Sequence, residues 1–301
     1  AVRPFATLIT GCETMTADAM TSTGIRTTNL PSGEPVPVLG QGTWGMGEDR
    51  SRRAAEIAAL RLGIDIGMTL IDTAEMYAGG GAEQVVGEAI AGRRADVFLV
   101  SKVLPSHATR RGTIAACEAS LRHLNTDHLD LYLLHWRETT PLDEPLEAFQ
   151  ALVRNGKIRY WGVSNFDVDD MEELVAIPGG TAVATDQVLS NLTRRGIELN
   201  LLPWCRRRKI PIMAYSPIEQ GRLVKKRALA RVAARRDATP AQIALAWVLR
   251  HPDVIAIPKA SDLDHVRENR GALEIRLTDA DLADLDRAFP PPAKPVPLEM
   301  I

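Results

Sequence analysis

The chain has 301 residues, 45% of them hydrophobic and 25% charged, and its 36 basic and 38 acidic side chains give a formal net charge of -2. This is the composition of an ordinary water-soluble globular protein, and the near balance of charge argues against a surface that binds polyanions. The length suits one large domain, because α/β barrels of roughly 250 residues form a single unit.

The first 22 residues are weakly apolar at their start, but Glu13 and Asp18 interrupt the run. A signal peptide has a cationic start and a longer apolar core. We therefore expect residues 1–22 to be a loosely ordered leader and residues 23–301 to form one domain. No apolar run approaches the roughly 18 residues of a membrane helix.

Three cysteines, Cys12, Cys117 and Cys205, lie far apart and lack C-x-x-C spacing. This pattern favours neither a disulfide framework nor a zinc site, and no other metal-binding spacing is present. A reducing cytoplasm is the location that such cysteine usage predicts.

In chain order, the sequence first predicts a hairpin and then an alternation of strands and helices. "IRTTNLPSGEPVPVLG" predicts two short strands around a Pro-Ser-Gly turn. Eight apolar runs follow: "VLGQG", "TLID", "VFLVSK", "LDLYLLH", "IRYWGVS", "ATDQV", "IPIMAYS" and "VIAIPK". Helices are predicted between and after them over 51–67, 82–91, 109–124, from 141 to about 154, 168–177, 199–208, 228–236, 240–249, 262–273 and 278–289.

Eight strand-helix units in this length predict a single (β/α)₈ TIM barrel, an α/β fold, with an N-terminal β-hairpin and extra C-terminal helices. A doubly wound open sheet is the alternative. One motif favours that alternative at first sight, since Gly40, Gly42 and Gly45 spell G-x-G-x-x-G after an apolar run. However, the next helix is predicted to begin near Arg50, after two acidic residues that would repel phosphate. We interpret the motif as a chance match at the end of the first barrel strand.

Active sites of such barrels lie at the carboxyl ends of the strands. Asp72, Lys102 and His135 end the second, third and fourth runs, and Tyr77 follows Asp72 by five residues. Singly, each has an ordinary structural interpretation: a turn cap, a surface aromatic, a solvated strand end and a buried core histidine. Their succession on neighbouring strands favours a shared site.

These four side chains form a coherent acid–base set. A tyrosine hydroxyl has a pKa of about 10, and a neighbouring ammonium lowers the pKa of the phenol. Asp72 would hold Lys102, and a neutral His135 would orient a carbonyl while Tyr77 protonates its oxygen. An acid that protonates a carbonyl requires a hydride donor, which indicates a nicotinamide.

The sequence resembles the aldo-keto reductase family over residues 25–289. The motifs are "LGQGTW", "IDTAEMY", "GGAEQVVGEAI", "SK", "LDLYLLHW", "NGKIRYWGVSNF", "AYSP" and "IPKASDLDHVREN". The resemblance implies a (β/α)₈ barrel that reduces aldehydes and ketones with NAD(P)H. It also implies that Asp72, Tyr77, Lys102 and His135 are the catalytic residues.

The resemblance also implies where the cofactor binds. Ser164, Asn165 and Gln187 match the carboxamide contacts, and Tyr215 matches the aromatic that stacks on the nicotinamide. Residues 216–221 match the segment over the pyrophosphate. The full set of implied cofactor contacts is Thr43, Trp44, Asp72, Ser164, Asn165, Gln187, Tyr215, Ser216, Pro217, Ile218, Gly221, Lys259, Ser261, His265, Glu268 and Asn269.

Two departures bear on the cofactor. Ala260 replaces a serine that often follows the phosphate-binding Lys259, and His265 replaces an arginine. Arginine is a strong bidentate phosphate partner, whereas histidine is charged only part of the time. NADPH remains the favoured cofactor because Lys259 is kept and Ser261 is nearby, and NADH is the alternative.

The predicted substrate pocket consists of Trp44, Met76, Tyr77, His135 and Trp136, with core packing as the alternative for the apolar members. The loops over 137–140 and 219–227 are of modest length, which favours an open pocket and small aldehydes. A carbonyl compound is the expected partner, with no nucleic acid or membrane. The other functions considered are a non-catalytic nicotinamide-binding regulatory or sensor subunit, and an acid–base enzyme without nicotinamide.

Overall fold

A computed structural model of the chain describes residues 24–301, so the leader expected over 1–22 lies outside the described residues. The described part opens with an antiparallel hairpin of β1 (Thr27–Asn29) and β2 (Pro35–Pro37), in the register Thr27↔Pro37. Its turn includes Gly33, whose φ of +89° is the left-handed conformation that glycine adopts without strain. The predicted N-terminal hairpin is confirmed.

Eight parallel strands form the central sheet of the described chain, and each strand pairs with the one next to it in chain order. Parallel bridges Leu39↔Ala256 and Gly42↔Lys259 join its first and last strands and close the sheet. The (β/α)₈ prediction is confirmed, and the open doubly wound alternative is wrong. The strands are β3 (Gln41–Gly42), β4 (Leu70–Asp72), β5 (Phe98–Val103), β6 (Leu129–Leu134), β7 (Ile158–Ser164), β8 (Asp186–Leu189), β9 (Ile212–Tyr215) and β10 (Val254–Ala256).

The helices follow the strands nearly as predicted. They begin at side-chain caps where the sequence offers them; Thr239, for example, accepts from the N–H of Gln242 in a capping box. No helix within residues 24–301 combines the length and apolarity needed to cross a bilayer. The helices are α1 (Arg53–Asp65), α2 (Gly81–Ala89), α3 (Arg110–Leu124), α4 (Asp143–Arg154), α5 (Val168–Ala176), α6 (Leu201–Arg207), α7 (Arg227–Arg236), α8 (Pro240–Val248), α9 (Leu263–Gly271) and α10 (Asp279–Ala288).

Apolar side chains fill the inside of the barrel at its amino end. Leu70, Val100 and Leu131 from neighbouring strands pack there against Leu30 and Val36 of the hairpin. A larger apolar layer lies between the sheet and the surrounding helices. The hairpin therefore closes the amino end of the barrel, and polar side chains gather at the carboxyl end.

Candidate active site

The glycine motif lies where the first and last barrel strands approach each other. A Cβ on Gly42 would stand 2.7 Å from the Ile257 carbonyl oxygen, so only glycine fits this contact. The chain then turns through Gly45 in the left-handed region, and a 3₁₀ turn begins only at Arg50, capped by Asp49. No helix opens at the glycines, which agrees with the interpretation of the motif as a chance match.

Lys102 lies fully buried on β5 and connects the predicted acid–base residues. Its ammonium group donates to Asp72 Oδ2 at 2.8 Å, to the Thr73 carbonyl at 2.8 Å and to the Tyr77 hydroxyl at 3.2 Å. These three bonds use all three ammonium hydrogens. The Tyr77 oxygen is thus an acceptor toward Lys102, and its own proton is free to point into the cavity.

The pKa of Tyr77 differs from the sequence-based expectation. Burial raises the pKa of the phenol above its usual value of 10, and the charge of Lys102 lowers it only in part. The expectation that Lys102 would leave Tyr77 with a lowered pKa is therefore wrong in its net direction. The same burial keeps the hydroxyl protonated at neutral pH, which is the form that an acid requires.

His135 follows β6 and faces the rings of Tyr77 and Trp136, with centroid distances of 5.8 and 4.8 Å. Burial lowers the pKa of its imidazole to about 2, and the Lys102 charge acts in the same direction. The ring is therefore neutral at physiological pH. Its Nδ1 is buried and has no hydrogen-bond partner within residues 24–301. A proton on Nε2 would accordingly place the single N–H donor at the cavity.

A stability measurement checks the neutral state of His135. A histidine whose pKa is lower in the folded than in the unfolded chain stabilises the fold above about pH 6.5 and loses that contribution as the pH falls. We expect the free energy of unfolding to fall more steeply from pH 7 to pH 5 in the wild type than in His135→Asn. The slopes of the unfolding free energy against pH in the two proteins should differ by up to about 1.4 kcal/mol per pH unit. Equal slopes would contradict a neutral, buried His135.

A cavity of about 550 Å³ opens at the carboxyl end of the barrel. Tyr77 and His135 share its wall with exposed Trp44 and Met76, 57% and 43% exposed. This exposure excludes core packing for these two side chains. The predicted residues along the wall are Thr43, Trp44, Asp72, Met76, Tyr77, His135, Trp136, Ser164, Asn165, Gln187, Tyr215, Ser216, Pro217, Ile218, Gly221, Lys259 and His265.

A polar network lines the floor of this cavity. Gln187 donates its amide N–H to Asp72 Oδ1 at 2.8 Å, and Asn165 donates to the His135 carbonyl at 3.1 Å. The Tyr215 hydroxyl donates to Asn165 Oδ1 at 3.0 Å. Gln187 is therefore bonded directly to the Asp72–Lys102 pair, while Asn165 joins the ends of β6, β7 and β9.

Four predicted residues lie off the cavity wall. Lys102 is fully buried and bonded to the Tyr77 hydroxyl. Glu268 accepts from the Thr239 hydroxyl beside α8, Asn269 is buried on α9, and the hydroxyl of Ser261 is buried with no partner among residues 24–301. All three follow the eighth strand, but the sequence did not show which way α9 turns Glu268 and Asn269.

Several wall residues were missed. Gly42 and Gly45 lie within the glycine motif, and Ile257 and Pro258 within the last apolar run, so a signal existed for them. Gln220 lies inside the predicted segment 216–221. Met300 and Ile301 also line the cavity, but no motif marks them.

The wall segment 216–221, here called the cofactor loop, has an unusual backbone. Ser216, Glu219 and Gln220 have φ values of 47°, 50° and 52°, and Gly221 has 82°. Left-handed conformations at residues other than glycine cost on the order of 1 kcal/mol or more each and persist only when their surroundings impose them. The loop therefore needs an anchor.

Fold and site together define a barrel with a hydrogen-bonded tyrosine–lysine pair at the mouth of its strands. The family model described as "Aldo/keto reductase family" matches residues 38–289. The chain belongs to the aldo-keto reductase family and is an oxidoreductase, as the motifs predicted.

Individual relatives agree with this assignment. Methylglyoxal reductase YeaE of Escherichia coli (strain K12) is 54% identical over 271 residues, which cover 88% of this chain and 95% of that protein. Glyoxal reductase of Bacillus subtilis (strain 168) is 32% identical, with 86% and 91% covered. A crystal structure of an aldo/keto reductase from Klebsiella pneumoniae in complex with NADP and acetate superposes with a TM-score of 0.90 at 52% identity. It covers 92% of this chain and 100% of that one.

Proposed function

We propose that the protein reduces small aldehydes and ketones, 2-oxoaldehydes among them, to alcohols with NADPH. The observation that carries the proposal is the triple hydrogen bonding of Lys102, which makes the Tyr77 oxygen an acceptor and leaves its proton free for a ligand in the cavity. An acid oriented in this way has no purpose in a protein that only binds a nucleotide. The alternative of a regulatory or sensor subunit has no comparable feature in its favour.

The roles of the side chains follow from their protonation states. Tyr77 is protonated at neutral pH and donates its proton to the carbonyl oxygen as negative charge develops there. Lys102 then stabilises the resulting phenolate, and Asp72 holds the ammonium in place. Neutral His135 donates from Nε2 to the same oxygen and fixes its direction.

The residues along the cavity suit a nicotinamide dinucleotide. Gln187 uses its amide N–H on Asp72 and keeps its oxygen for the cavity, where a carboxamide N–H would find an acceptor. Tyr215 offers a ring face beside Asn165. Lys259 is half-buried in the same cavity, and the unpartnered hydroxyl of Ser261 lies two residues further on. When bound, the reduced nicotinamide supplies the hydride that carbonyl reduction needs.

The mouth of the cavity favours small carbonyl compounds. Trp44, Met76 and Trp136 form an apolar rim, and the relatives named methylglyoxal reductase and glyoxal reductase support short 2-oxoaldehydes as substrates. The cytoplasmic location inferred from cysteine usage stays a prediction, as does a single domain over 23–301.

Consumption of NADPH, followed by its absorbance with methylglyoxal, aromatic aldehydes, ketones and sugars, tests the proposal. We expect turnover with small aldehydes and a higher kcat/KM for NADPH than for NADH, because Lys259 offers a cation for the 2′-phosphate. Lys259→Met should lower kcat/KM for NADPH by about 10- to 100-fold, the value of a charge-assisted hydrogen bond, with little effect on NADH. No turnover with any carbonyl would refute the proposal, and a tenfold preference for NADH would refute the assignment of NADPH.

A further inference from the structure

The left-handed cofactor loop is held by one buried carboxylate. Glu219 accepts from Asn191 Nδ2 at 2.7 Å and from the guanidinium groups of Arg194 and Arg222, each at 3.1 Å. Burial alone would raise the pKa of this carboxyl, but these hydrogen bonds lower it, so Glu219 is ionised. Asn191 also donates to the Ser216 carbonyl at 3.0 Å. The anchor therefore fixes two of the strained residues of the loop.

Arg194 is the member of this anchor that reaches beyond the loop. Its Nη2 and Nε donate to Glu219, while its Nη1 donates to Oε1 of Glu299. Arg222, by contrast, pairs with Glu219 and with no other acid in the part of the chain that the structure describes. One guanidinium thus connects the cofactor loop to residues 290–301, here called the C-terminal segment.

The C-terminal segment reaches the same cavity. Leu298 packs against the main apolar core, and Met300 and Ile301 line the cavity together with residues of the cofactor loop. Burial raises the pKa of the Tyr215 hydroxyl to about 12, and a hydrogen bond from the backbone of Ile301 opposes that rise. The segment therefore reaches the hydroxyl of Tyr215.

We propose that Arg194 is a positioning residue that couples the cofactor loop to the C-terminal segment, so that dinucleotide binding and closure of the carbonyl pocket favour each other. The inference rests on the proposed function. Arg194 does not line the cavity, so it would act through Glu219 and Glu299. Because coupling between two sites is reciprocal, a carbonyl analogue should tighten dinucleotide binding as much as the dinucleotide tightens analogue binding.

Three single variants separate the Arg194–Glu219 bond from the Arg194–Glu299 bond. Arg194→Met breaks both bonds, and Arg222→Met weakens only the anchor of the loop. Glu299→Gln weakens only the bond to the C-terminal segment. The measurements are the NADPH dissociation constant from tryptophan fluorescence, hydrogen exchange of residues 296–301 with and without NADPH, and KM and kcat for one aldehyde.

In the wild type, NADPH should slow hydrogen exchange in residues 296–301. Arg194→Met should raise the NADPH dissociation constant by about tenfold, as expected for the loss of charge-assisted bonds, and abolish this protection. Arg222→Met should weaken NADPH binding less, since the side chain of Arg222 is 57% exposed, and should keep the protection. Glu299→Gln should lose the protection and raise KM for the aldehyde, while kcat stays within about twofold because the acid is untouched.

The outcomes separate the inference from the function. If the wild type binds NADPH but exchange of residues 296–301 does not respond to it, or if Arg194→Met and Glu299→Gln keep the protection seen in the wild type, the coupling is refuted while the reductase proposal stands. If the wild type binds neither NADPH nor NADH, both are refuted. Should Arg194→Met fail to fold, Glu299→Gln alone decides, because it leaves the Arg194–Glu219 bond in place.

Discussion

Replacing Tyr77 by phenylalanine is expected to lower kcat for aldehyde reduction by about 100- to 10,000-fold, the usual contribution of a positioned general acid. The change removes one hydroxyl that accepts from Lys102 and offers its proton to the cavity, and it leaves the ring beside His135 in place. Dinucleotide affinity should stay within about threefold, because the predicted carboxamide and phosphate contacts are elsewhere.

Tyr160→Phe is the matched control for this experiment. The Tyr160 hydroxyl donates to Glu34 at 2.7 Å, at the hairpin end of the barrel, so the same chemical change is made far from the mouth. Its kcat should equal that of the wild type. Turnover by Tyr77→Phe at a similar rate would show that another group is the acid.

Replacing Lys102 by methionine should affect both activity and stability. The ion pair with Asp72 is almost fully buried, with side-chain exposures of 0% and 3%. Removing the cation leaves a buried carboxylate with no charge to balance it, which costs about 3–5 kcal/mol of unfolding free energy. Turnover should fall by at least as much as in Tyr77→Phe, because the phenolate formed after proton donation loses its stabilising charge.

A double variant tells these two effects apart. Lys102→Met combined with Asp72→Asn removes both charges, so most of the lost stability should return in urea denaturation, while activity should not. Arg53→Met breaks the exposed pair with Glu88 and should cost less than about 1 kcal/mol. A Lys102→Met protein as stable as the wild type would contradict the buried pair.

The sequence predicted the barrel because each unit carries its own local signals. The turn before β2 and the apolar runs are short-range patterns, and parallel strands necessarily end at one edge. For that reason Asp72, Lys102 and His135 could be placed together without any structure. Tyr77 followed from its distance to Asp72 along the chain.

Two kinds of property could not be predicted: those that depend on how deeply a side chain is buried, and those that depend on pairing between residues far apart in the sequence. The net pKa shift of Tyr77 depends on how much water its neighbours exclude, which no local pattern reports. The pairing of Arg194 with both Glu219 and Glu299 joins residues up to 105 positions apart. Likewise, the orientation of α9, which turns Glu268 toward Thr239, follows from packing rather than from spacing.

The hairpin at the amino end bears on the order in which the two reactants bind. Because Leu30 and Val36 close that end, the dinucleotide and the carbonyl compound would both enter and leave at the carboxyl end of the barrel. We therefore expect the dinucleotide, whose predicted contacts at Gln187 and Asn165 lie at the cavity floor, to bind before a carbonyl compound at the rim by Trp44 and to leave after the alcohol. An excess of carbonyl compound is then expected to slow turnover, because it would block release of the oxidised dinucleotide.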